Sequence, residues 1–265
     1  MNEENVIRLL KQNPQVSDYK INILKKESFE QFFVKGRLET TRSTDTCDRK
    51  VTVYADHNGF RGDSEFYIYP STTEQELEEK ISEALRNALM IKNAPYALPE
   101  NQEGEYTLES NLGEEPMPVL ADRIAKLVFG ANTLEGGSLN SVEIFINRYE
   151  ETVCNSRGLS KTQHSYSAMV EAIPTFNGNR ESVELYEQYN FSSLNQEDLV
   201  REIQEKMNAV KARYEAVKPD FSMDCPVVLN KQELSEFFTN FADDLNYSTV
   251  YNHGNCFQKG DNLLG

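Results

Sequence analysis

Leu139-Asn-Ser-Val-Glu-Ile-Phe-Ile-Asn-Arg-Tyr-Glu-Glu-Thr-Val153 is the stretch whose reading decides the fold. Val142, Ile144 and Ile146 fall on one side of an extended chain. Glu143, Phe145 and Asn147 fall on the other, the period of two that a half-buried strand requires. Asn155-Ser-Arg-Gly158 then supplies a four-residue turn, with Asn favoured at its first position and Gly at its last. A second extended run covers 159–176, broken at Pro174 and at the Asn177-Gly-Asn179 turn. A third, 182–191, sets Val183, Leu185 and Tyr189 against Glu184, Glu187 and Gln188. Immediately afterwards the period becomes helical. Asn195 offers a cap, Glu197 and Asp198 favour the positive end, and Leu199, Ile203, Met207, Val210, Tyr214 and Val217 trace one face up to Pro219. Three strands and then a helix predict an α+β fold on an antiparallel sheet. The helical stripe reads as core against that sheet, with a dimer contact as the alternative.

Working outward, residues 1–12 read as an amphipathic helix with Val6, Ile7, Leu9 and Leu10 on one side, ended by Pro14. Extended segments follow at 19–25, 29–38, 50–55 and 60–69, with Asp56-His-Asn-Gly59 as a hairpin turn between the last two. Ser71-Thr-Thr-Glu74 fits a capping box, and Leu77, Ile81, Ala84, Leu85, Ala88 and Leu89 recur behind it at helical spacing. Residues 1–94 thus form a first α+β unit. Residues 95–118 gather Pro95, Pro99, Pro116 and Pro118 with Gly104 and Gly113 and lack periodicity, which predicts a linker or a long surface loop. A second α+β unit, 119–219, opens with a helix that starts at Pro118, carries Leu120, Ile124, Leu127 and Val128, and runs to about Asn132. From 224 to 265 the reading is the start of a further C-terminal domain. Pro226-Val-Val-Leu229 is a short buried-strand signal, and Asn230 with Glu233 starts a helix bearing Leu234, Phe237, Phe238, Phe241 and Leu245. Such a pair needs something more to pack on, so the domain reads as incomplete at Gly265.

The chain holds 27 basic against 43 acidic residues, a net charge of −16. That field repels phosphate backbones and anionic lipid, so neither nucleic acid nor a membrane is an expected partner; cationic peptides suit it better. Cys47, Cys154, Cys225 and Cys256 form no C-x-x-C pair. No apolar run approaches the roughly 18 residues that span a bilayer, and the opening residues read as a helix, not a signal segment. Reduced thiols in a cytoplasmic protein are the expectation.

Candidate chemistry is sparse. His57, His164 and His253 lie far apart. His253 and Cys256 have an H-x-x-C spacing, two ligands in a polar tail. Asp243-Asp244, Glu150-Glu151 and Glu114-Glu115 are paired carboxylates that an acidic chain produces by adjacency. No G-x-S-x-G elbow and no phosphate-binding glycine loop is present. No catalytic, cofactor-binding or metal-ligating residue is assigned. One binding surface is expected: the strand over 161–173, rich in Thr, Ser and Tyr, could receive an extended peptide along a free edge, the alternative being an internal strand with a polar outer face.

In order and wording these pieces resemble the TldD/PmbA family, modulators of DNA gyrase related to zinc-dependent peptidases. The resemblance rests on the strand region 59–69 before the helix over 74–90, on Val153-Cys-Asn-Ser-Arg-Gly-Leu159, on the helix over 199–214 and on Pro226-Val-Val-Leu229. In the family's catalytic type, an H-E-x-x-x-H motif lies on the helix after the last of these strands. Two imidazoles there hold zinc and the carboxylate serves as base. Here that helix reads Glu233-Leu-Ser-Glu-Phe-Phe-Thr-Asn-Phe-Ala-Asp-Asp244, without a histidine. The resemblance therefore implies the PmbA (TldE) type. That type is a noncatalytic subunit acting in peptide processing or degradation, with zinc only on a TldD-like partner, and this chain is expected to be inactive alone. Its implied partners are that catalytic subunit or a second copy, and unfolded or leader-type peptides. A peptide-binding or scaffold protein without a peptidase partner is the alternative.

Overall fold

The structure, a computed structural model, describes residues 3–218, 220–222, 224–229 and 231–262. Pro219, Asn230 and Gly265, read above as helix end, helix start and chain end, lie outside them. The chain divides into two compact units, Met1–Ala216 and Val217–Gly265.

The first unit is built on one sheet. Helix α1 (Glu3–Gln12) leads into β1 (Asp18–Val34), β2 (Arg37–His57), β3 (Phe60–Ile68) and α2 (Glu74–Ala88). After β4 (Glu103–Thr107) and α3 (Met117–Ala131) come β5 (Gly137–Asn155), β6 (Ser160–Phe176), β7 (Val183–Glu184), β8 (Glu187–Phe191) and α4 (Gln196–Glu215). The strands run in the order β3-β2-β1-β5-β6-β4, with β7 and β8 also paired to β6. Every pairing is antiparallel except β4 with β6. The α+β architecture expected from the hairpins is present.

Side-chain alternation puts all four helices on one face. Tyr19, Ile21, Ile23, Phe29 and Phe33 of β1 share that face, since residues two apart point the same way. The first three belong to a core closed by Val6, Leu9 and Leu10 of α1 and Leu77, Ile81, Leu85 and Ala88 of α2. Phe29 and Phe33 pack on a second core, formed by Ile144 and Ile146, Leu120, Ile124 and Val128 of α3, and Leu199, Ile203 and Met207 of α4. Between the cores the same face is polar. Lys25 sits opposite Glu150 in the ladder and pairs with it at 2.7 Å. Two apolar cores thus lie on one sheet, spanned by the long β1–β5 pairing from Lys20↔Asn155 to Val34↔Ser141.

Several local readings are corrected. The segment 29–38 is not one strand: Lys35 (φ 49°) and Gly36 (φ 74°) turn the chain, the two positive-φ positions of a tight hairpin. Residues 39–49, given no element above, lie inside β2, whose residues 37–46 are all exposed. A strand wet on both sides shows no alternation to read. The Asn58-Gly59 turn stands as expected, with φ of 49° and 80°. The capping box sits two residues later than read. Thr73 Oγ1 accepts from Glu76 N at 3.2 Å, and Glu76 Oε2 accepts from Thr73 N at 2.7 Å. Residues 95–118 are not simply a solvated loop: they hold β4 and the buried Leu98 and Leu112, and the Asn111 side chain exchanges hydrogen bonds with the Leu194 backbone.

At Gly62, β3 meets the end of α2 so closely that a Cβ would stand 1.7 Å from Ala88 O. Gly62→Ala must therefore push helix from strand. A loss of about 1–3 kcal/mol is expected, the usual cost of overpacking, measurable by urea denaturation; an unchanged midpoint would show the contact to be slack.

In the second unit, α5 (Lys231–Asp244) and α6 (Tyr247–Tyr251) are helical. Residues 226–229 form no strand, against expectation, and Val228 is 91% exposed. A strand needs a neighbour for its backbone groups, and no described residue of this unit provides one. The rings of Phe237, Phe238 and Phe241 pack on each other, while Phe237 and Phe238 stay half exposed.

Candidate functional site

The face of the sheet opposite the first unit's four helices and the open edge along residues 37–48 of β2 form the candidate site. On this face Phe32 and Phe145 meet edge to face, with centroids 5.7 Å apart. The Arg42 guanidinium lies 5.5 Å from the Phe32 centroid, and its Nε donates to Glu30 Oε2 at 2.6 Å. Glu143 and Glu171 stand directly opposite each other in the β5–β6 ladder. Burial pushes the Glu143 carboxyl up, and the Glu171 charge adds to the shift. Like charges opposite each other weaken a sheet, so this pair favours a cation laid across it. Beside it is a shallow depression of about 470 Å³ lined by Lys26, Glu30, Phe145, Asn147, Met169 and Phe191.

The open edge is not where the sequence placed it. β6 pairs with β5 on one side, and on the other with β4 at 160–164, β8 at 168–172 and β7 at 175–176. Residues 161–173 are therefore internal. A long uncovered edge belongs to β2: β3 reaches only Arg49–His57, so along 37–48 β2 has β1 on one side and no described strand on the other. Phe, Arg and Glu side chains on the adjoining face and unpaired backbone on this edge suit an extended, basic peptide.

The histidines are not gathered. His57 Nε2 lies 2.9 Å from Ile91 O, His164 Nε2 lies 2.7 Å from Glu105 Oε1, and His253 occupies a positive-φ position in the second unit. Cys256 N donates to Asp244 Oδ1 at 2.8 Å. Among the described residues no group of three His, Cys, Asp or Glu side chains is arranged to hold a metal. No described helix is long and apolar enough to cross a membrane.

Comparison of folds supplies what local chemistry does not. TldE from Thermococcus kodakarensis superimposes with a TM-score of 0.56 at 15% identity, over 77% of this chain and 47% of that one. A candidate modulator of DNA gyrase from Thermotoga maritima matches with a TM-score of 0.55 at 16% identity, over 78% of this chain and 47% of that one. Its counterpart from Bacteroides thetaiotaomicron gives 0.53 at 13%, over 77% and 48%. This chain has the TldE fold. It is the fold that the sequence resemblance implies, and the chain spans about half the length of those solved chains. No protein-family profile and no curated relative matches the sequence.

Within this TldE-like fold, the Asn-Ser-Arg-Gly turn has a structural task. Asn155 Oδ1 accepts from Arg157 N and Leu159 N at 2.8 and 3.1 Å, which shapes the turn. Ser156 Oγ donates to Asp18 Oδ1 at 2.5 Å, and Arg157 Nε donates to the same oxygen at 2.7 Å. Asp18, 2% exposed, also binds the buried Arg61, whose guanidinium lies 4.9 and 5.4 Å from the ring centroids of Tyr54 and Tyr96. Burial alone would raise Asp18, but the hydrogen bonds from Arg157, Ser156 and Arg61 outweigh it and hold its carboxyl below the ordinary 3.8. Burial pushes Tyr54 up to about 12. Asp18 and Arg61 escape sequence reasoning, because an acid and a base flanking apolar runs are too common to mark a site.

Proposed function

We propose that this chain is a noncatalytic subunit of the TldE (PmbA) type, serving a metal-dependent peptidase whose zinc sits on a TldD-like partner. The fold shared with TldE over 77% of the chain carries the reading. The absence of histidine from the sequence of α5, where the catalytic type places its ligands, supports it. The proposed role is to present extended peptides to the partner's metal, on the open sheet face and along the β2 edge, during cytoplasmic peptide processing or degradation. A catalytic subunit is the leading partner and a second copy of this chain the other. The test mixes purified chain with a subunit bearing H-E-x-x-x-H and follows cleavage of casein and short basic peptides. The chain alone is expected to be silent, and the mixture to cleave in a chelator-sensitive way. Chelator-sensitive cleavage by the chain alone, or full activity of the partner without it, would overturn the proposal.

The uncovered β2 edge favours a second reading, a peptide-binding or scaffold protein that needs no peptidase. It predicts that basic peptides bind the isolated chain and that Glu171→Lys weakens them.

A further inference from the structure

β4 covers the edge of β6 over Ser160–His164, pairing in parallel from Glu103 to Thr107. Little but backbone holds it there. All five β4 side chains are exposed, whereas β8, a strand of the same length on the same edge, buries Glu187 and Tyr189. A parallel ladder is also slightly weaker per residue than an antiparallel one. Two side-chain ties reinforce it. Glu105 Oε1 lies 2.7 Å from His164 Nε2, and the Tyr106 hydroxyl donates to Gln163 Oε1 at 2.5 Å. Both ties are open to solvent, where an ion pair contributes little.

The flanks of β4, by contrast, are anchored. Upstream, Leu98 is buried and Pro99 O accepts from Asn155 Nδ2 at 2.9 Å. Downstream, Leu112 is buried and the Asn111 side chain is fixed to the Leu194 backbone. Between these points residues 100–109 are all exposed, a strap fast at both ends with no apolar burial in its middle. The strap carries Glu100, Glu103, Glu105 and Glu109 and no basic residue, so its own charges repel one another. A segment with few buried contacts and solvent-open hydrogen bonds opens locally while the rest stays folded. Opening frees backbone groups of β6. Ser160 N donates to Gln102 O at 2.8 Å and Leu108 N to His164 O at 2.9 Å, so Ser160, Thr162 and His164 address the strap. Lys161 and Gln163, alternating with them, address β5.

We propose that β4 is a displaceable strand: the strap swings off β6, and an extended segment of another chain takes its place along Ser160–His164. The inference is independent of the subunit reading, because it concerns an edge that reading leaves closed and needs no catalytic partner. Residue-resolved NMR on the unaltered chain tests it twice. In amide exchange, Ser160, Thr162 and His164 should exchange at least about a hundredfold faster than Lys161 and Gln163. A synthetic peptide with the sequence of residues 100–109 should bind saturably and slow exchange at Thr162, leaving Thr44 on the β2 edge as it was. Tyr106→Pro removes a donor that faces β6, as Leu108 does, from a strand outside both cores. It should tighten the peptide about tenfold, the worth of one or two backbone hydrogen bonds. Evenly slow exchange across 160–164 overturns the proposal, and so does protection by the peptide at Thr44 in place of Thr162. So does the absence of peptide binding at about 10 mM, above the effective concentration of a short tethered strand. These outcomes need no variant, so a folding defect in Tyr106→Pro does not blunt them.

Discussion

Asp18→Asn should destabilise the first unit by about 3–5 kcal/mol, the range for removing one partner of a buried ion pair. The substitution keeps the shape of the side chain but leaves the Arg61 guanidinium, 6% exposed, without its buried counter-charge. It also removes the charge that Ser156 and Arg157 address from the 155–158 turn. The pH dependence follows from the sign of the shift. The Asp18 pKa is lowered on folding, so its contribution is complete above the unfolded value and is lost as pH falls through the folded one. Urea midpoints of the unaltered chain should therefore fall on the acid side of the ordinary carboxylate range, and those of Asp18→Asn should fall less. Equal midpoints for the two proteins at pH 7 would show that Tyr54, Tyr96 and Asp56 hold Arg61 without the Asp18 charge.

Ile203→Asp should cost at least about 4 kcal/mol, because it puts an unpaired carboxylate where nothing can solvate it. Ile203 is fully buried and lies with Leu199 and Met207 against Ile144, Ile146 and the α3 stripe. The expected result is loss of the cooperative melt of the first unit, followed by near-ultraviolet circular dichroism. A melting temperature within a degree of the unaltered chain would mean that α4 does not close this core.

What could be read in advance was whatever alternates. Val142, Ile144 and Ile146 are buried because one face of β5 is dry and the other is not; the α4 stripe was equally plain, with Leu199, Ile203, Met207 and Val210 all buried. Residues 37–46 of β2 are wet on both sides, and β4 is exposed throughout; both are strands only because a neighbour supplies hydrogen bonds. Their cause is not local, so no local pattern betrays them. The same holds for the candidate site. The Glu143–Glu171 pair and the open β2 edge arise from register between distant segments. The Pro226-Val-Val-Leu229 signal failed for the converse reason: the pattern is there, but no described strand lies beside it.

The β1–β5 ladder has a consequence for how this chain is made. β1 lies at the centre of the sheet, yet its pairing partner begins at Gly137, roughly a hundred residues downstream. At typical synthesis rates of 5–20 residues per second, β1 waits on the order of 5–20 s on the ribosome for that partner. Through that interval the hairpin of β1 and β2 can close, and the α1–α2 core can gather over it. The other flank of β1, with Phe29 and Phe33, stays bare. Contacts of such separation form slowly, and a bare central strand invites a neighbouring nascent chain. A holdase on the first hundred residues would protect the ordering on which the whole sheet depends.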